Sequence, residues 1–169
     1  MTASIEIRRA QAADAAALSQ FAARLFRATY GDDTPAADLE AYVTKAFRPD
    51  IQATEIADPE AAVFLATDGD TIAGYAHLVV SPSIADASLL SRIYIDTAWR
   101  GQGLANHLLD AVISECAARG VERLQLTVYE KNARAIAFYD KVGFVPVGST
   151  TFTVGQDVQT DIVMERATR

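Results

Sequence analysis

The sequence predicts an α/β fold in which a mixed sheet carries helices on both faces. Strand periods, with apolar residues at every second position, and helix periods, with apolar residues every third or fourth, alternate along the chain. One strand pattern, Ile93-Tyr94-Ile95, leads through the glycine-rich stretch Arg100-Gly101-Gln102-Gly103-Leu104-Ala105 directly into a helix pattern. Two further strand patterns close the chain without a helix between them, so parallel and antiparallel neighbours must coexist in the sheet.

The elements follow in order. Ser4 to Arg8 alternates and reads as a first strand. Leu18, Phe21 and Leu25 recur at helical spacing, which gives a helix from about Ala12 to Ala28. Thr34-Pro35 reads as an N-cap followed by proline at the first helical position, opening a second helix with Leu39, Val43 and Phe47 inward. Val63 to Thr67 and Thr71 to Val80 are strands, and Asp68-Gly69 between them is a hairpin signal. Leu89 to Ile95 is the next strand. The helix after it carries Leu104, Leu108, Leu109, Val112 and Ile113 on one stripe and stops at Gly120. Leu124, Leu126 and Val128 alternate in a further strand. Asn132 caps a helix that ends before Gly143, and strands near Phe144 to Thr153 and Val158 to Arg166 finish the chain.

Composition narrows the function classes. A chain of 169 residues, half of them hydrophobic, with no internal repeat or linker, fits one domain over residues 1–169. No stretch approaches the ~18 apolar residues of a membrane span. Glu6, Arg8 and Arg9 occupy the place of an apolar signal core. The expectation is a cytoplasmic protein without a membrane partner. Cys116 is the only cysteine and lies on an apolar helix stripe, so it reads as a packing residue. His77 reads as structural and His107 as exposed; two histidines without matching ligand spacing predict no metal site.

Charge is unevenly placed. The net charge is −7, and residues 31 to 70 hold ten carboxylates against Lys45 and Arg48, leaving −8 there and +1 elsewhere. Such a potential repels nucleic acid and attracts cationic ligands. It also describes an ordinary solvated face that keeps a protein soluble.

The glycine-rich turn carries the chemistry. Unpaired N–H groups at a helix start, at the positive end of its dipole, suit a pyrophosphate, and glycines let it approach the backbone. A dinucleotide fingerprint is excluded, because its third glycine falls on Asn106, and no Walker loop is present. A second motif follows: Asn132-Ala133-Arg134-Ala135-Ile136-Ala137-Phe138-Tyr139, then Gly143-Phe144. With Arg100, Gly103 and Ala105 matching the first signature and Asn132, Ala135, Phe138 and Tyr139 the second, the chain resembles the GCN5-related N-acetyltransferase (GNAT) superfamily. Pro35 through Ala46-Phe47, the run Tyr129-Glu130-Lys131-Asn132, and the tail with Gly155, Gln159-Thr160-Asp161 and Met164 are similar to the PaiA-type spermidine/spermine N-acetyltransferases.

The resemblance implies a mostly antiparallel sheet splayed between two parallel strands, Leu89–Ile95 and Leu124–Tyr129, with acetyl-CoA in the opening. It implies that the Ile93 N–H polarises the thioester carbonyl, that Tyr94 and Ile95 lie along the pantetheine arm, and that the turn from Arg100 and Gly101 through Gln102, Gly103, Leu104 and Ala105 holds the pyrophosphate. Asn132 would contact the arm, or serve only as a helix cap. Arg134 and Lys141 would meet CoA phosphates, or be surface charges. Trp99 would shield the cofactor, or pack the turn. Tyr139 is the expected general acid at the departing thiolate: a phenol with a pKa near ~10 is protonated at neutral pH. The glutamate base of some superfamily members falls on Leu89 here and is missing. Tyr30, Asp32, Asp33 and Asp86 are the candidates for binding the amine acceptor or removing its proton. The reading favoured is acetyl transfer to a small-molecule, polyamine-like amine. An amino acid, antibiotic or protein N-terminus as acceptor, and a CoA-sensing module without turnover, are the alternatives. Exposed strand edges allow a homodimer in the resembled superfamily.

Overall fold

The computed structural model describes residues 4–81 and 86–169. Its order is β1 (Ile5–Arg9), α1 (Ala15–Tyr30), α2 (Ala36–Ala46), α3 (Pro49–Ala57), β2 (Ala61–Asp68), β3 (Thr71–Val79), β4 (Ser88–Ile95), α4 (Leu104–Ala118), β5 (Arg123–Tyr129), α5 (Ala133–Lys141), β6 (Val145–Val154) and β7 (Asp157–Ala167). Short 3-10 turns precede α1 at Ala12–Asp14 and α4 at Thr97–Trp99. The strands form one sheet in the order β1-β2-β3-β4-β5-β7-β6. Every described pair is antiparallel except β4 with β5.

Strand alternation sorts the core into two layers. On β2, Ala62, Phe64 and Ala66 point to one face, where Leu104, Leu108, Leu109, Val112 and Cys116 of α4 cover them together with Tyr139 and Phe144. Val63 and Leu65 point to the other face, against Leu18, Phe21, Leu25 and Phe26 of α1 and Leu39 and Val43 of α2. The sheet is therefore sandwiched, and β2 is buried along nearly its whole length. Cys116 is fully buried, and burial pushes its thiol up to about 11, which fits a packing role.

Two local expectations change. Thr34 does not cap α2. Its hydroxyl accepts a 2.8 Å hydrogen bond from Gln159 Nε2 on β7, and the N-cap position falls on Pro35. Helix α3 has no counterpart in the sequence reading: it is nine residues long and only Gln52 is buried, so no apolar stripe marks it. Pro49 at its first position was the available signal.

A buried polar group sits beside the strand that matters most. His77 on β3 faces Arg92 on β4 and is 5% exposed, with Nδ1 3.7 Å from a Glu55 oxygen. Burial lowers its pKa from 6.5 to about 4, against the opposing pull of Glu55. Between those values the unfolded chain binds a proton that the folded chain does not, so stability is lost as pH falls through this window. The shift corresponds to about 3 kcal/mol. Urea unfolding midpoints are expected to fall between pH 6.5 and 4, and His77→Gln is expected to flatten that slope; an unchanged slope in the variant would assign it to other groups.

Candidate active site

Strands β4 and β5 pair only at Ser88 with Leu124 and Leu89 with Gln125. Beyond that they part. A cause is visible in the β3–β4 ladder: Arg92 faces His77 and Leu90 faces Leu78, so Ser91 is an extra residue with no partner. A bulge of this kind bends its strand and strengthens the local twist. Toward β3 the ladder resumes from Arg92 to Ile95, so one edge of β4 stays bonded while the other opens.

The open edge presents backbone groups. Asp96 N–H donates to Ala73 O on the β3 side at 2.9 Å. Alternation along the strand then turns the Ile95 and Ile93 amides to the opposite edge, into the gap. A cavity of about 450 Å³ fills this gap, walled by β4, the start of α4, the end of β5 and the start of α5.

The turn into α4 is built for an anion. Gly101 and Gly103 have φ of +80° and +79°, a left-handed conformation that glycine adopts without strain. Gly103 is the N-cap and offers no side chain, and the first turn of α4 has no acidic residue. The early N–H groups of the helix thus keep their positive field toward the cavity. Asp96 holds the approach, accepting from Ala98 N at 3.2 Å and from Arg24 of α1 at 2.9 Å. Sequence reasoning did not single out either residue.

The opposite wall comes from α5. Asn132 Oδ1 accepts from Ala135 N at 3.2 Å, so the cap is real, and Asn132 also lines the cavity. The helix-cap reading of this residue holds, and the same residue stands in the cavity wall. Tyr139 lines the cavity too, 8% exposed, with its ring against Phe138 and Phe144. Burial, then the nearby Tyr94 phenol, raise its pKa above the usual tyrosine value. Its hydroxyl therefore stays protonated at physiological pH.

Of the residues expected at the cofactor, Ile93, Tyr94, Ile95, Arg100, Gly101, Gly103, Leu104, Ala105, Asn132, Arg134 and Tyr139 line this one cavity, as does Trp99. Gln102 and Lys141 lie outside its lining. Of the acceptor candidates, Tyr30 is in the wall, packed 5.4 Å from Tyr129. Asp32, Asp33 and Asp86 are exposed and line neither this cavity nor the next; Asp33 lies 3.9 Å from Lys131.

A second chamber of about 180 Å³ adjoins the first from the α1–α2 side of β4. Tyr30, Ser91, Arg92, Tyr94 and Thr127 face both. Leu89 lines the chamber and brings no charge. Arg92, Tyr42 and Asp161 were not among the expected site residues. Among the described residues, no cluster of three or more histidine, cysteine or carboxylate side chains is placed to hold a metal.

A family model described as the acetyltransferase (GNAT) family matches residues 19–144. The chain belongs to this family. It is similar to an uncharacterized N-acetyltransferase of Mycobacterium tuberculosis, 36% identical over 111 residues that cover 66% of this chain and 70% of the relative. It is also similar to the [ribosomal protein bS18]-alanine N-acetyltransferase of Escherichia coli K12, 36% identical over 81 residues covering 48% of this chain and 53% of that protein. Among solved structures, a PaiA N-acetyltransferase from Thermoplasma acidophilum in complex with coenzyme A superposes with a TM-score of 0.84 at 21% identity, over 97% of this chain and 99% of the other. The protein is thus a GNAT-family N-acetyltransferase with acetyl-CoA as its cosubstrate.

The turn can be tested with a matched control. Gly103 and Gly120 both have positive φ, +79° and +73°, and a Cβ at either meets nothing within 4 Å. Alanine imposes a similar backbone strain of roughly 1 kcal/mol at each. Gly103→Ala is expected to weaken CoA binding about tenfold, because a Cβ there would stand in the path of a phosphate approaching the backbone amides. Gly120→Ala, at the far end of α4, is expected to leave it unchanged. Equal CoA affinity by calorimetry for both variants would remove the turn from the binding site.

Proposed function

We propose that the protein transfers the acetyl group of acetyl-CoA directly to a primary amine of a polyamine-like acceptor, with Tyr139 as general acid. The observation that carries this reading is a protonated, buried phenol on α5 facing the unpaired edge of β4 across one cavity. Bound acetyl-CoA supplies a thioester whose carbonyl carbon the amine attacks. The residues present fit it: an open strand edge for an amide-rich arm, and a helix start without a carboxylate for its phosphates.

Each protein group then has a stated task. The Ile93 N–H donates to the carbonyl oxygen as negative charge gathers there. Ile95 backbone groups, with the side chain of Asn132, fix the arm. Gly101, Gly103 and the first amides of α4 hold the pyrophosphate, with Arg100 and Arg134 at hand as counter-charges. As the C–N bond forms and the C–S bond breaks, the Tyr139 hydroxyl gives its proton to the departing sulfur. The amine's proton leaves to solvent or restores the phenol, so the products are the amide, the thiol and one released proton per ammonium consumed.

The polyamine part rests on the tail from Phe152 to Met164 and on the negative field past Tyr30. Asp32 is exposed just past the end of α1, where it draws a cation toward the mouth, while Asp33 beside it lies 3.9 Å from Lys131. Several other carboxylates of the acidic stretch are already compensated: Glu40 by Arg27, Asp50 by Arg48 and Glu55 by Arg92. A protein N-terminus is the second reading, favoured by the bS18-alanine relatives.

Tyr139→Phe is expected to lower kcat by about 10²-fold or more while the acetyl-CoA Kd stays within about twofold. Thiol release with spermidine, and calorimetry with acetyl-CoA, measure the two quantities. Unchanged kcat would end the general-acid assignment, and preferred turnover of an alanine-terminated peptide would replace the polyamine by the second reading.

A further inference from the structure

We infer that Asp161 binds an ammonium group at the non-reacting end of the acceptor, which makes the acceptor a diamine or longer polyamine and excludes an acceptor with a carboxylate at that end. The inference rests on the proposal that the acceptor is a polyamine-like amine and goes beyond it in naming the residue that holds the non-reacting nitrogen.

Asp161 lies on β7 opposite Tyr129 and lines the 180 Å³ chamber. It is 4% exposed, and its Oδ1 has no hydrogen-bond partner among the described residues. A buried carboxylate without a cation is costly, and its retention calls for a ligand or a proton. The chamber offers no protein cation to meet it. Arg92 is the basic group of the lining, but both its terminal nitrogens are bonded to Glu55, at 2.8 and 2.9 Å, and its guanidinium stacks over Phe47 at 5.2 Å. That pair is balanced, so Asp161 is the uncompensated charge.

The remaining walls suit an alkylammonium. Phe26, Tyr30, Tyr42 and Phe152 form one contiguous aromatic group, with ring centroids from 4.4 to 6.4 Å apart. Such faces attract a cation and accept methylene groups. Gln159, two residues before Asp161 on the same face of β7, ties that strand to Thr34 at the start of α2 and so fixes the aromatic wall against the carboxylate. Burial, with Glu130 adding to it and the Thr127 hydroxyl opposing, raises the Asp161 pKa from its ordinary value; a bound ammonium would lower it again.

Chemistry decides which nitrogen binds there. The attacking amine must be neutral, and a carboxylate stabilises the charged form. Asp161 therefore suits the nitrogen that does not react, while the other end crosses past Thr127 and Tyr94, which face both cavities, toward Ile93.

Three probes share a four-carbon chain with one terminal amine and differ at the far end: 1,4-diaminobutane, butylamine and 4-aminobutyrate. In the wild-type protein with CoA bound, the diamine is expected to raise the melting temperature, and the other two are not. With acetyl-CoA, kcat/KM for the diamine is expected to exceed both by roughly 10- to 100-fold. Asp161→Asn is expected to fold, since it neutralises a buried unpaired charge. It is also expected to raise KM for the diamine by a similar factor and to bring the diamine and butylamine to parity, with acetyl-CoA affinity unchanged. Equal wild-type use of 4-aminobutyrate and the diamine would overturn the inference whether or not the variant folds, and so would a variant that keeps the diamine preference. A diamine-specific melting shift without acetyl transfer would instead overturn the catalytic proposal and leave the Asp161 site standing.

Discussion

The parting of β4 from β5 after two paired residues is the constraint on which the rest of the structure depends. A sheet interior with unpaired amides would ordinarily be unfavourable, since buried N–H and C=O groups demand partners. Here the opening is held from both sides. On one side β4 remains bonded to β3 through Ile95. On the other, β5 is bonded along its full length to β7, from Arg123 with Ala167 to Tyr129 with Asp161. The Ser91 bulge sets the divergence, and the core layers on either face keep it from collapsing. The unpaired edge is thus available to a ligand with amide groups of its own, while the turn at Gly101 and Gly103 and the cap at Asn132 frame its two ends.

The same separation divides the electrostatics. At the α4 end the field is positive, from helix amides that no first-turn carboxylate offsets. At the α1–α2 side the fixed cation is neutralised by Glu55, and a lone carboxylate remains. An anionic cosubstrate and the proposed cationic acceptor would therefore enter from opposite faces of β4 and meet along it. The tyrosines between them, Tyr30, Tyr94 and Tyr139, are all pushed above the ordinary phenol value, by burial first; the Tyr94 phenol adds to the rise at Tyr30 and Tyr139, while Arg92 opposes the rise at Tyr94. They act as donors and rings there, not as charges.

The cavity walls at the α4 turn and the α5 cap were legible in the sequence because their determinants are local. Positive-φ glycines, a helix start without a cap side chain, and an asparagine cap are all written within a few residues of where they act. The second chamber was not, because sidedness there depends on register and on distant partners. Asp32 and Asp33 drew notice through local charge density, yet among the described residues the buried carboxylate with an unpaired oxygen is Asp161, which reaches the chamber only because β7 pairs with β5. Thr34 read as a helix cap until Gln159, 125 residues away, supplied a donor. Helix α3 lacked a stripe because it covers β2 and α1 with few large side chains, although it carries the Glu55 that balances Arg92.

Amide hydrogen exchange on β4, residue by residue with and without acetyl-CoA, tests the central claim most directly. The open edge predicts that Ile93 and Ile95 exchange quickly in the unliganded protein and are protected when acetyl-CoA binds, while Asp96, already bonded to Ala73, changes little. Saturating acetyl-CoA with no added protection at Ile93 and Ile95 would contradict the account, because the cosubstrate would then be bound somewhere other than between the parted strands.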